Sequence, residues 1–180
     1  INIGFINLLK LMRTKNLIDT IYYLKHDLKF LNKINRNQVN KFVSKKDNFL
    51  DPVTKLDLKI EKIIRARINK QFKNHSIIGE EFRDQIRDTE NIWIIDPIDG
   101  TKNFILGMPT WSNLVGLLIN DKPVFSFANF PDLQKFYTAY DKKTFINYKN
   151  KKKRIFCNKK ADYKNAKIVI NTFGTVKKKN

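Results

Sequence analysis

An apolar run, Trp93-Ile94-Ile95, breaks abruptly into Asp96-Pro97-Ile98-Asp99-Gly100-Thr101, and this junction limits the fold more than any other feature. Apolar residues go inside, so two carboxylates within four residues arrive where a buried strand finishes. Such crowding of negative charge is unfavourable unless a cation sits between the acids. Pro97 has no N–H and disfavours the helical region for Asp96, so the strand is expected to stop there. A turn across Asp96–Asp99 would bring both carboxylates to one side, with the carbonyl of Ile98 pointing between them. Gly100 permits close backbone approach, and Thr101 suits the start of a helix through Lys102, Asn103 and Phe104. Carboxylates, a carbonyl and water are the hard ligands that Mg²⁺ takes, usually with a phosphate completing the shell. The same five residues, Asp-Pro-Ile-Asp-Gly, also make an ordinary surface turn.

A second acidic element separates these readings. Ser76-Ile77-Ile78-Gly79-Glu80-Glu81 is another short apolar run closed by a glycine and paired acids. Two strands ending in acids can converge at one sheet edge, where open sheets place their ligands. Together with Pro52-Val53-Thr54-Lys55-Leu56-Asp57, these blocks resemble the inositol monophosphatase superfamily over about residues 17–173. The resemblance implies an α/β chain, the N-terminal part of a layered αβαβα (α+β) sandwich, forming a single domain over residues 1–180. Residues 1–16 find no family counterpart and are expected to be an N-terminal extension. The family's late W-D-x-A-x-G block is also missing, because the two tryptophans, Trp93 and Trp111, are already placed. The chain is therefore expected to be truncated at its C-terminal end.

Carried over by that resemblance, Glu80, Asp96, the carbonyl of Ile98 and Asp99 would hold metal, with Asp96 bridging two ions. Gly100 and Thr101 would receive the phosphate. Asp57 and Thr101 would orient or deprotonate the attacking water, with Glu80 assisting as a third catalytic residue. Glu81 would stand behind the ligands or hold an additional ion. The implied cofactor is Mg²⁺, two or three ions, with lithium sensitivity. The implied reaction is hydrolysis of a small-molecule phosphate monoester by metal-activated water. Positioning and electrostatics lower such a barrier, since cations neutralise the developing phosphoryl charge.

Substrate choice leans on the downstream pattern. Gly107-Met108-Pro109-Thr110-Trp111 and the residues after it are closer to the histidinol-phosphatase branch than to the inositol-specific one. Histidinol phosphate and inositol monophosphate are the two substrates considered first. A nucleotide 3′-phosphate phosphatase of the same superfamily is the alternative enzyme. A truncated, inactive basic module binding polyanions is the alternative outside enzymes. By resemblance, a homodimer is implied.

Charge bears on that last alternative. The chain carries a net charge of +19, which would ordinarily suggest nucleic acid. Yet 29 of its 36 basic residues are Lys, and Asn and Ile are inflated too, the drift that A+T-rich codons produce. The lysines are therefore read as solvated surface that draws in an anionic ester, with no nucleic-acid partner expected. A single cysteine excludes an internal disulfide framework and fits a reducing cytoplasm. Ile1–Leu11 is too short and too interrupted to span a bilayer, so no membrane association is expected.

The remaining elements follow from periodicity. The first 30 residues read as helix, and Asn32–Leu50 as a polar loop or frayed helix. Thr54 caps a helix whose stripe is Leu56, Ile60, Ile63, Ile64, Ile68 and Phe72, with Asp57 in its first turn. Strands are expected at Asn113–Ile119, Val124–Asn129, Phe136–Tyr140 and Ile168–Asn171, with a hairpin at Thr144–Asn147. Phe125, Phe127, Phe130 and Phe136 read as sheet packing. His26 and His75 read as solvent-exposed, without a role.

Overall fold

The helix that organises the structure is α2 (Lys55–Gln71), entered through Thr54. The Thr54 hydroxyl accepts from the backbone N–H of Leu56 and Asp57, while the Asp57 carboxylate accepts from the Thr54 N–H at 2.9 Å. This reciprocal capping box satisfies donors that every helix start leaves open. Along α2, Ile60, Ile64 and Ile68 are fully buried, and Leu56, Ile63 and Phe72 pack around them. In this computed structural model, residues 3–33, 42–44, 52–149, 151–157 and 164 are described.

Helix α1 (Ile3–Asp27) runs into a 3₁₀ turn (Lys29–Lys33) and packs on α2. Leu17, Leu24, Leu28 and Leu31 are buried there, and Arg67 of α2 grips Asp27 with two bonds of 2.7 and 3.0 Å. Short strands β1 (Phe42–Ser44) and β2 (Pro52–Thr54) pair antiparallel. The polar stretch read as loop or frayed helix thus contains a strand. Its Lys- and Asn-rich composition hid a three-residue segment that exists only through its partner.

The main sheet has seven strands in chain order: β3 (Ser76–Gly79), β4 (Asn91–Asp99), β5 (Ser112–Ile119), β6 (Lys122–Phe130), β7 (Lys135–Tyr140), β8 (Lys143–Tyr148) and β9 (Lys151–Ile155). β3 and β4 are parallel, and every later neighbour is antiparallel. Trp93, Ile95, Val115, Leu117, Phe125, Phe127 and Phe136 turn to the helical side and are buried. Ile94, between two of them, is 42% exposed on the other side, as the two-residue strand period requires. Both helices therefore lie on one face, and the α/β class expected from sequence is what is seen.

Two local expectations change. β4 does not stop at Asp96 but continues to Asp99 across a register shift. Asp96 pairs with Leu114 and Asp99 with Ser112, so Pro97 and Ile98 together oppose Asn113 alone. That bulge accommodates a proline that could not donate to the ladder. His75 is half-buried, not free in solvent: its Nδ1 accepts from the Trp93 indole at 3.0 Å, and its ring packs on Phe72. The basic segment Lys151–Ile155 forms edge strand β9, and the β7–β8 turn places Asp141 and Lys142 in the left-handed region (φ 49° and 56°) without glycine. His26 is exposed, as read. The strand expected at Ile168–Asn171 lies outside the described residues.

Candidate metal and phosphate site

Parallel pairing of β3 with β4, Gly79 opposite Ile95, puts the two acid-bearing strand ends side by side. The chain leaving β3 stays attached, since the Glu80 N–H donates to the Ile95 carbonyl at 3.2 Å. Glu80 therefore emerges next to Asp96. Helix α2 starts nearby, because α2 packs on β4 and the short helix α3 (Thr101–Ile105) packs on β2.

Asp96 is the electrostatic centre. Burial raises its pKa, Glu80 and Asp99 raise it further, a hydrogen-bond contact with Glu80 adds to this, and Asp57 contributes last. Together these push the Asp96 carboxyl from 3.8 to about 7. Its Oδ1 is buried and has no hydrogen-bond partner. Asp57 is likewise raised, first by burial, against the lowering effect of its Thr54 bonds, with Glu80 adding a small push. Glu80, Asp96, Asp99 and Asp57 thus share one field, although they come from three separate segments.

The bulge explains why the site has this shape. The Asn113 amide donates to the Pro97 carbonyl at 2.6 Å, and Asn129 in turn donates to Asn113 at 2.8 Å. Ser112 donates to Asp99 Oδ2 at 3.2 Å. Neither Ser112 nor Asn113 stood out in the sequence; each is a small polar residue at the start of a strand. Only the register shift aims them at the motif.

After Asp99 the chain turns through Gly100 at φ 83°, where a side chain would be strained and a Cβ would approach the Thr110 carbonyl to 3.2 Å. Gly100, not Thr101, occupies the cap position of α3. Thr101 is the first helical residue, and its hydroxyl donates to the Ile98 carbonyl at 2.9 Å. Asp57 and Thr101 are each bonded within their own segment and not to each other.

Would a divalent cation fit here? Among the described residues, no three His, Cys, Asp or Glu side chains already close on one point. The carboxylates instead converge loosely around a buried oxygen that no protein donor satisfies. Mg²⁺ keeps waters and binds through one or two carboxylates plus phosphate, so an open acidic edge suits it better than a sealed cage. A hard cation would supply what the Asp96 oxygen lacks, and oxygen donors of this kind fit it.

Fold and site together define a layered α/β protein with an acidic sheet edge. The inositol monophosphatase family model matches residues 20–180, and the chain belongs to that family. It is 38% identical to the histidinol-phosphatase of Mycobacterium tuberculosis over 90 residues, half of this chain and 35% of that protein. It is 34% identical to bovine inositol monophosphatase 1 over 127 residues, 68% of this chain and 42% of that one. A Thermotoga maritima IMPase structure superposes with TM-score 0.64 at 30% identity, covering 74% of this chain and 51% of the other. A staphylococcal inositol monophosphatase-1 structure, at 24% identity and TM-score 0.63, shares the fold. The chain thus spans about a third to a half of the length of these relatives.

Proposed function

We propose that this chain takes part in Mg²⁺-dependent hydrolysis of a small-molecule phosphate monoester, with histidinol phosphate the first substrate and inositol monophosphate the second. The observation that carries this reading is Asp96: a buried, unpartnered carboxylate oxygen set among three other acids. Glu80, Asp96, Asp99 and the Ile98 carbonyl would hold two or three Mg²⁺ ions. When bound, such ions neutralise phosphoryl oxygens and lower the pKa of water. Gly100 and Thr101 would receive the phosphate, with the Thr101 hydroxyl exchanging the Ile98 carbonyl for a phosphoryl oxygen. Asp57, whose pKa burial raises, would be the carboxylate that holds the proton of attacking water, with Glu80 assisting. Glu81 would stand behind these groups. Lithium would inhibit, and a dimer is the proposed assembly.

The histidinol-phosphatase relative and the inositol monophosphatase relative support the two substrates in that order. The test is phosphate release by the purified chain from histidinol phosphate, inositol 1-phosphate and adenosine 3′,5′-bisphosphate, with and without Mg²⁺. Fastest release from the nucleotide would replace the substrate assignment by the nucleotide alternative. A second reading rests on the exposed lysines of β9, Lys151, Lys152 and Lys153, in a chain of net charge +19. Steeply salt-dependent polyanion binding without Mg²⁺-dependent release from any ester would favour it.

A further inference from the structure

Glu61 lies on α2 one turn beyond Asp57 and is fully buried, unusual for a carboxylate in an apolar helix stripe. Its Oε1 pairs with Arg65 Nε at 2.7 Å, and the same oxygen accepts from the Phe82 N–H at 3.3 Å. Its Oε2 accepts from the Glu81 N–H at 2.7 Å. Arg65 completes the ring by donating from Nη2 to the Phe82 carbonyl at 3.2 Å. Gly79 closes against this pair so tightly that a Cβ there would lie 2.1 Å from Glu61 Oε1 and 2.7 Å from Arg65 Nη2. The peptide carrying Glu80 is therefore held from behind by α2 and from the side by the Ile95 carbonyl.

A buried ion pair is a poor source of net stability, since apolar residues of the same volume often do as well. What it does provide is position. Every bond this pair makes outside α2 goes to the main chain flanking Glu80. We infer that Glu61 is a positioning residue that, with Arg65, sets Glu80 at the distance from Asp96 required to share a cation. Glu61 bonds to Arg65 and to the Glu81 and Phe82 amides and makes no hydrogen bond to Asp96; it acts through the loop. This inference rests on the metal reading above.

The experiment measures Mg²⁺ binding to the full 180-residue chain by calorimetry, alongside amide exchange in the metal-free protein. Three proteins are compared: wild type, Glu61→Gln, and Ile64→Ala as a destabilised core control on the same helix that removes none of the hydrogen bonds to the loop. Glu61→Gln is expected to weaken Mg²⁺ binding by roughly 10–100-fold, the usual effect of losing a group that orients a ligand. The Glu81 and Phe82 amides should exchange faster, and Ile64→Ala should bind Mg²⁺ as wild type does. If Glu61→Gln fails to fold, Glu61→Gln/Arg65→Gln removes the stranded guanidinium and is read in the same way. Wild-type affinity in the folded Glu61 variant would overturn the positioning role alone. No Mg²⁺ response in wild type would sink the metal reading and, with it, the cation part of this inference. In that case, unchanged exchange at Glu81 and Phe82 in the variant would also remove Glu61's hold on the loop, and faster exchange would retain it.

Discussion

Two carboxylates adjoin one short loop, Glu61 fully buried and Asp96 half-buried with one buried oxygen, and the protein treats them differently. Glu61 beneath the loop has a guanidinium and two backbone amides on its oxygens. Asp96 on the far side has other acids for neighbours and one oxygen with no partner. Burying charge is costly unless it is paired, so the first arrangement is complete within the chain and the second is not. The fold gives Glu61 a cationic partner and gives Asp96 none, so Asp96 is neutralised by a proton in the metal-free chain and, on the proposed function, would be neutralised by a metal ion. The contrast also divides labour: Glu61 fixes backbone, and Asp96 presents charge.

Removing the unpaired acid should have the largest effect. Asp96→Asn takes away the charge at the centre of the cluster while keeping its shape, so Mg²⁺-dependent phosphate release should fall by on the order of 10³-fold. The metal-free fold should survive, because repulsion from Glu80 and Asp99 is relieved. Steady-state kinetics and a thermal melt on the same sample check both halves. Undiminished turnover would end the contrast, since Asp96 would then be no more than a strained structural acid.

Next comes a crowding test on the paired side. Gly79→Ala forces a methyl toward Glu61 Oε1 and Arg65 Nη2, both fixed by other bonds. Overpacking of this kind costs about 1–3 kcal/mol. Denaturant unfolding should show that loss, and Mg²⁺ affinity should fall with it as Glu80 is displaced. An alanine that lowered stability without touching Mg²⁺ affinity would separate the clamp from the site.

The difference between these two acids was only half legible in sequence. Asp96 and Asp99 announced themselves because acids interrupt an apolar strand, and Glu80 because it repeats that pattern. Glu61 did not, because one acid on a Lys- and Arg-rich helix looks like a solvated face, and only the fold shows that this turn faces inward. The core of α2 was readable from its period: Ile60, Ile64 and Ile68 are buried as the stripe requires. The end of β4 was not, because local rules for Pro97 predict a stop, and a bulge that needs Asn113 across the ladder cannot be seen from one strand. His75 was missed for the same reason, since its partner Trp93 is 18 residues away. Interactions within a turn were visible, and those made by register were hidden.

Proton linkage gives a subtler comparison. Asp96 titrates at about 7 in the fold against 3.8 as its ordinary value. Its folded pKa is raised, so the metal-free fold holds this proton more tightly than the unfolded chain does. The stabilisation is full below about pH 4 and is lost as pH rises through about 7. Asp57, also raised, acts in the same direction. Melting temperature without metal should therefore decline across that window. Saturating Mg²⁺ should offset the decline, because the ion binds the deprotonated form. Asp96→Asn should flatten the metal-free curve, and a profile identical to wild type would show that the crowding is not felt.

The smallest expected effect lies at Asp99, the exposed member of the cluster. Ser112 is buried and donates to Asp99 Oδ2 at 3.2 Å. Asp99 can also reach water, so losing one hydroxyl leaves no orphaned charge, unlike the situation at Asp96. A neutral donor to an accessible carboxylate is worth about 1 kcal/mol, so Ser112→Ala should raise the Mg²⁺ Kd by roughly fivefold. Stability should barely move. The decisive form is a double-mutant cycle: in an Asp99→Asn background the same alanine should change Mg²⁺ affinity no further. A full additive loss there would mean that Ser112 acts through the bulge, by way of Asn113 and Pro97, and that orientation at this edge comes from the strand register and not from the hydroxyl.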